Sequence, residues 1–180
     1  MDPQEYLITF YGIVVGLTAT KYLQGWGDLI KDRAINRHYM VTLIWSITFF
    51  CSLTNEWLVE YTRWSDDFSM LRLMEALVQP FCLYIVGVLL FPNEHGSNEV
   101  EDYYQHFLEQ KTIIMTITIG LLMLKFEPLN WERGWTKTKV QVAVLLFPVL
   151  ASLLFAQKWV LLLSGTVMAL FWVAYILQMM

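Results

Sequence analysis

Two apolar runs, residues 40–61 and 69–91, are separated only by the polar link 62–68. A helix of about 20 residues spans the roughly 30 Å hydrocarbon core of a bilayer, so each run is long enough to cross it. Backbone polar groups in lipid must be satisfied within the segment, which leaves helices packed side by side as the available form. This hairpin constrains the chain more than any other stretch does.

Further apolar runs lie at approximately 6–23, 103–126, 140–155 and 159–177. The expectation is an all-α, polytopic membrane helix bundle of about six transmembrane helices, forming a single domain over residues 1–180. Composition agrees. Only 16% of the residues are charged, against about 25% in ordinary soluble domains. Trp26, Trp57, Trp64, Trp131 and Trp135 sit near the ends of runs, where an indole suits the membrane–water interface. The sequence Gly25-Trp26-Gly27 predicts the end of the first helix. The acidic start, with Asp2 and Glu5, lacks the basic n-region of a cleaved signal peptide.

The residues before the fourth run are the one sizeable polar stretch. Pro92 to Ser97 predicts a turn, and Asn98 with Glu101 predicts a capped helix start. Val100, Tyr103, Tyr104, Phe107 and Leu108 then recur at helical spacing, predicting a short amphipathic helix before the fourth span. Its polar face carries Glu101, Asp102 and His106. An acidic face is repelled by anionic headgroups, so the 92–110 segment is a candidate docking surface for a protein partner.

Neither run of the hairpin is uniformly apolar. The first carries Thr48, Ser52, Asn55 and Glu56, and the second Arg72, Glu75, Gln79 and Cys82, each set at helical spacing. Charged groups inside a membrane are costly and normally face other helices or a water-filled cavity. In an antiparallel hairpin the two stripes meet at matching depths, with Glu56 able to pair with Arg72 and Glu75 one turn deeper. Pro80 also withholds the N–H that the carbonyl of Ala76 would accept. Thr48, Ser52, Glu56, Arg72, Glu75 and Gln79 are therefore the candidate ion or proton path, and interhelical hydrogen bonding without transport is the plainer reading of the same residues.

Gly12 with Gly16, and Gly165 with Ala169, form small-residue faces that favour close helix packing and a homo-oligomer. The formal net charge of −4 and the absence of a Lys/Arg-rich run exclude a nucleic-acid patch. Cys51 and Cys82 read as small buried hydrophobes. No metal-ligand spacing, phosphate loop or nucleophile with a histidine partner occurs, so neither cofactor nor catalysis is expected. Lysines and arginines divide almost evenly between the two sides, and the translocatable acidic start favours both termini on the non-cytoplasmic side. The expected function is a cation or proton channel or transporter. The alternative is a sensor or assembly partner that docks through residues 99–109.

Overall fold

The computed structural model describes residues 3–32, 39–63, 70–91, 103–125 and 137–179. They form α1 (Pro3–Asp32), α2 (Met40–Arg63), α3 (Met70–Leu90), α4 (Tyr103–Lys125), α5 (Lys137–Leu154) and α6 (Lys158–Met179). No strand occurs among the described residues.

Three of these helices hold a stretch long and apolar enough to cross a membrane: Leu73–Leu90, Tyr103–Leu124 and Lys158–Leu177. The expected six spans are thus corrected to three by length and apolarity. The physical reason differs among the other helices. In α2, Thr42, Ser46, Thr48, Asn55 and Glu60 are buried against protein, and among its described large apolar side chains Met40 and Trp57 are the exposed ones. A helix enclosed by its neighbours has no need of an apolar surface. In α5 the apolar stretch among the described residues is Val144–Leu154. In α1 the exposed Ile13, Leu17 and Leu23 alternate with glycines, threonines and Lys21, which dilute its hydropathy.

One sequence boundary also shifts. The first helix continues through Gly25-Trp26-Gly27 to Asp32 instead of breaking there. Gly25 serves packing: a Cβ at that position would run into the Phe91 ring, and Trp26 donates from Nε1 to Ser46 Oγ at 2.7 Å. Residues 103–110 are the first turns of α4, so the amphipathic segment is continuous with the fourth run, close to its expected bounds of 103–126. The expected cap at Asn98 and Glu101 lies outside the described residues.

Side-chain bonds fix the direction of every helix. Thr18 Oγ1 donates to Pro80 O and Tyr22 OH to Leu83 O, so α1 and α3 run parallel. Trp45 Nε1 donates to Leu161 O and Thr48 Oγ1 to Gly165 O, so α2 and α6 run parallel. Thr42 Oγ1 donates to Tyr103 O, and the Trp45 ring lies beside Phe107, which sets α4 parallel to α2. Tyr22 and Trp26 meet Phe50 and Ser46 in reverse order, making α1 and α2 antiparallel. Tyr104 OH and Lys111 Nζ reach Ala156 O and Phe155 O, just past the end of α5. The six helices therefore alternate in direction. One end of the bundle holds Pro3, Arg63, Met70, Lys125, Lys137 and Met179, and is called the terminal end below.

The helices close into a ring with α2 displaced inward, where it touches α1, α3, α4 and α6. Trp45, Phe49, Leu53, Leu83, Phe107 and Leu161 form the centre of the core. A smaller cluster of Tyr11, Val14, Leu73, Ala76 and Leu77 joins α1 to α3 near the terminal end.

Candidate functional site: a polar cavity at mid-depth

A side-chain to side-chain polar contact near the mid-depth of the bundle joins α2 to α3. Gln79 Nε2 donates to Ser52 Oγ at 3.4 Å. Gln79 is only 6% exposed. Its position in Leu73–Leu90 puts it roughly 4 Å from the middle of that stretch at 1.5 Å per residue. Helical periodicity accounts for the pairing. Thr48 and Ser52 lie at i, i+4 on the face of α2 that meets α3 and α6, and Gln79 lies on the stripe of α3 that also buries Leu83 and Val86.

Around this pair is a cavity of about 30 Å³, where a water needs roughly 10–15 Å³. Its polar lining comes from Thr48, Ser52, Gln79 and Thr118, and its apolar walls include Phe49, Leu83, Met168 and Trp172. Four helices contribute, and Met168 falls at the midpoint of the apolar stretch of α6. The Thr48 hydroxyl lies 2.9 Å from Ile44 O and 3.0 Å from Gly165 O, so its one proton is shared between them. Thr118 Oγ1 donates to Ile114 O at 2.8 Å. Both threonines are thereby spent as donors but keep acceptor capacity. The Gln79 amide uses one of its four hydrogen-bonding positions on Ser52. The cavity thus presents mainly acceptor oxygens, and no titratable side chain lines it.

The candidate path splits at this point. Thr48, Ser52 and Gln79 come together inside the bundle, whereas Glu75 lies on an exposed position of α3, beside Met74. Glu75 is at the rim because the buried stripe of α3 turns toward α1 at Leu73, Ala76 and Leu77 near this end. Glu56 is half-buried, and the side chain of Arg72, with its expected pairing to Glu56, lies outside the described residues. Because Ser52 pairs with Gln79 across antiparallel helices, Glu56 and Glu75 are level with each other. Each is one turn, about 6 Å, nearer the terminal end. Glu60 follows one turn further and is buried. Both Glu56 and Glu60 lie close enough to the Tyr11 hydroxyl to act on it electrostatically.

The other candidate residues are scattered. Gly12 and Gly16 are exposed, and a Cβ on either meets nothing in the chain. Gly165 is spent inside the bundle, where a Cβ would meet Ile44 and Trp45 of α2, and Ala169 is half-buried one turn on. That removes the small-residue face of α6 from the argument for an oligomer. His106 is half-buried and its Nε2 lies 3.1 Å from Leu89 O, tying α4 to α3, while Glu101 and Asp102 lie outside the described residues. Cys51 and Cys82 are free and partly buried. No group of three or more metal-ligating side chains occurs among the described residues.

Thr118, Met168 and Trp172 were not singled out in the sequence. A lone threonine in an apolar helix most often bonds its own backbone, as Thr118 does. Nothing local signals that it also faces a cavity shared by four helices.

No family model, curated protein or solved structure matches the chain. The reading of function therefore rests on the geometry of the site.

Proposed function

We propose that the protein is an integral membrane protein that conducts or transports a cation or proton along the α2–α3 seam. The observation that carries this reading is the Gln79–Ser52 pair, seated in a polar cavity at the mid-depth of the bundle. Buried polar groups at that depth are expensive in a bilayer and mark ion and substrate pathways. A second feature gives the direction of entry. Glu56, Glu60 and Glu75 lie between the cavity and the terminal end and favour a cation approaching from that side, although Arg63, Lys125 and Lys137 stand at the same end. The cavity holds only about two waters, and the buried Trp45 and Phe107 lie one turn beyond it, away from the terminal end. A narrow, gated path suits that arrangement better than a wide pore.

The test is flux through proteoliposomes containing the purified protein. Cation or proton movement above empty vesicles is expected, falling at least tenfold in Gln79→Leu and severalfold in Glu56→Gln. Wild-type protein that passes no ion under varied cation gradients and pH overturns the transport reading.

A further inference from the structure

The polar side chains that line the mid-depth cavity sort into donors and acceptors. Thr48 has given its proton to the carbonyls of Ile44 and Gly165, and Thr118 has given its own to Ile114 O. Each therefore offers the cavity lone pairs alone. Ser52 differs. Thr48 and Thr54 on the same helix each bond the carbonyl four residues back. The Ser52 hydroxyl accepts from Gln79 and meets no acceptor for its own proton among the described residues. Gln79 spends one N–H on Ser52 and keeps a second N–H and its carbonyl oxygen. The lining thus holds two spare protons, on Ser52 and Gln79, and lone pairs on Gln79, Thr48 and Thr118.

A resident of this cavity must both accept and donate. A metal cation would face the two spare protons, and an anion would face threonine oxygens whose protons are already used. No charged side chain among the described residues lines the cavity to offset either. An apolar resident would leave the buried Gln79 amide unmade, and buried polar groups are normally satisfied. The cavity volume of about 30 Å³ has room for roughly two waters at 10–15 Å³ each. We propose that the cavity is a binding site for two ordered waters, which join Ser52 of α2 and Gln79 of α3 to Thr118 of α4. The Thr118 hydroxyl bonds its own helix and no other among the described residues, so water is what couples it to the pair. The site does not depend on transport, because a bundle that conducts nothing still has these groups to satisfy.

The experiment is nuclear Overhauser transfer from water to methyl groups in the full chain in detergent micelles. Leu83 and Met168 line the cavity and are each 2% exposed, so bulk solvent does not reach them. Cross-peaks from water to the Met168 ε-methyl and to a Leu83 methyl are expected in the wild type. Thr118→Val keeps the side-chain shape and removes one acceptor, while Ser52→Ala removes one spare proton. Each is expected to weaken the cross-peaks severalfold. Transfer relayed through a single exchanging hydroxyl would survive one of the two substitutions, since each leaves the other hydroxyl in place. Cross-peaks unchanged in Thr118→Val reject the bridge to α4, and a wild type without cross-peaks at either methyl has a dry cavity and overturns the site. Ion flux through a protein with a dry cavity keeps transport and rejects the waters. A wet cavity in a protein that passes no ion keeps the waters and rejects transport.

Discussion

At the scale of the residue, the bundle distinguishes positions that look alike in sequence. Gly25 and Gly12 are both helical glycines of α1, yet a Cβ at Gly25 would run into the buried Phe91 ring and one at Gly12 would meet nothing. Overpacking costs typically 1–3 kcal/mol. Gly25→Ala is therefore expected to destabilise the protein by about that amount, and Gly12→Ala to leave the monomer as stable or slightly more so. Denaturant titration in micelles reads both. Shortening the obstacle, as Gly25→Ala with Phe91→Leu, is expected to recover part of the loss; no recovery would mean that the ring is not what Gly25 accommodates. The Gln79–Ser52 contact offers the opposite lesson. Side-chain hydrogen bonds between membrane helices average about 0.6 kcal/mol, and this one is long at 3.4 Å. A double-mutant cycle with Gln79→Leu and Ser52→Ala is expected to return a coupling below about 1 kcal/mol. A much larger value would make the pair a structural fastener and weaken the case for a functional site.

At the scale of the element, the short break between α5 and α6 is held by α4. Tyr104 OH donates to Ala156 O at 2.8 Å and Lys111 Nζ to Phe155 O at 3.4 Å. The last carbonyls of a helix lack intrahelical partners and carry partial negative charge, so an ammonium there both bonds and complements the dipole. Lys111→Met keeps the apolar stem and removes the charge. It is expected to cost about 0.5–2 kcal/mol and to raise amide hydrogen exchange at the end of α5, while Tyr104 still holds Ala156. Unchanged exchange around Leu154 would show that Lys111 does not cap the helix.

This clamp also shows where the sequence is legible and where it is not. The six helical segments are readable from apolar runs, because run length reflects the depth each helix traverses. The pairing of Ser52 with Gln79 is readable because a short link between two adjacent antiparallel helices restricts the register of their stripes. Contacts between helices distant in the chain are not written in any window. The Lys111 cap and the cavity wall from Thr118 and Trp172 depend on which neighbour each helix takes. Gly25 misleads for a related reason: a glycine that ends a helix and one that admits a ring from another helix are the same letter. Glu75 misleads through depth, since its stripe turns from buried to exposed one turn from the polar pair.

At the scale of the whole molecule, helix direction sets a test of whether more helices cross than the three that apolarity supports. The α4 and α6 helices both hold a strongly apolar stretch, and both run parallel to α2. If both cross the bilayer in the same sense, the chain between them must return across it. The only segment available is α5, whose 18 residues cover about 27 Å. The central α2 is enclosed by α3, α4 and α6 at the same depth, so its polar residues are shielded from lipid. For α1, the exposed Phe10, Ile13, Leu17 and Leu23 point outward while Tyr11, Thr18 and Tyr22 bond or pack inward along α3. If all six helices crossed, the Lys31 and Lys158 ends would lie on one side and the Glu5 end on the other. Single cysteines at these positions, in a Cys51→Ser and Cys82→Ser background, are expected to react with a membrane-impermeant thiol reagent accordingly: Lys31→Cys and Lys158→Cys from one face of sealed vesicles, Glu5→Cys only from the opposite face. Labelling of Glu5→Cys and Lys31→Cys from the same face would mean that α1 lies along the surface instead of crossing. The Tyr22 and Thr18 bonds to α3 would then have to break in the membrane, and the acidic mouth would lose the wall that separates it from lipid.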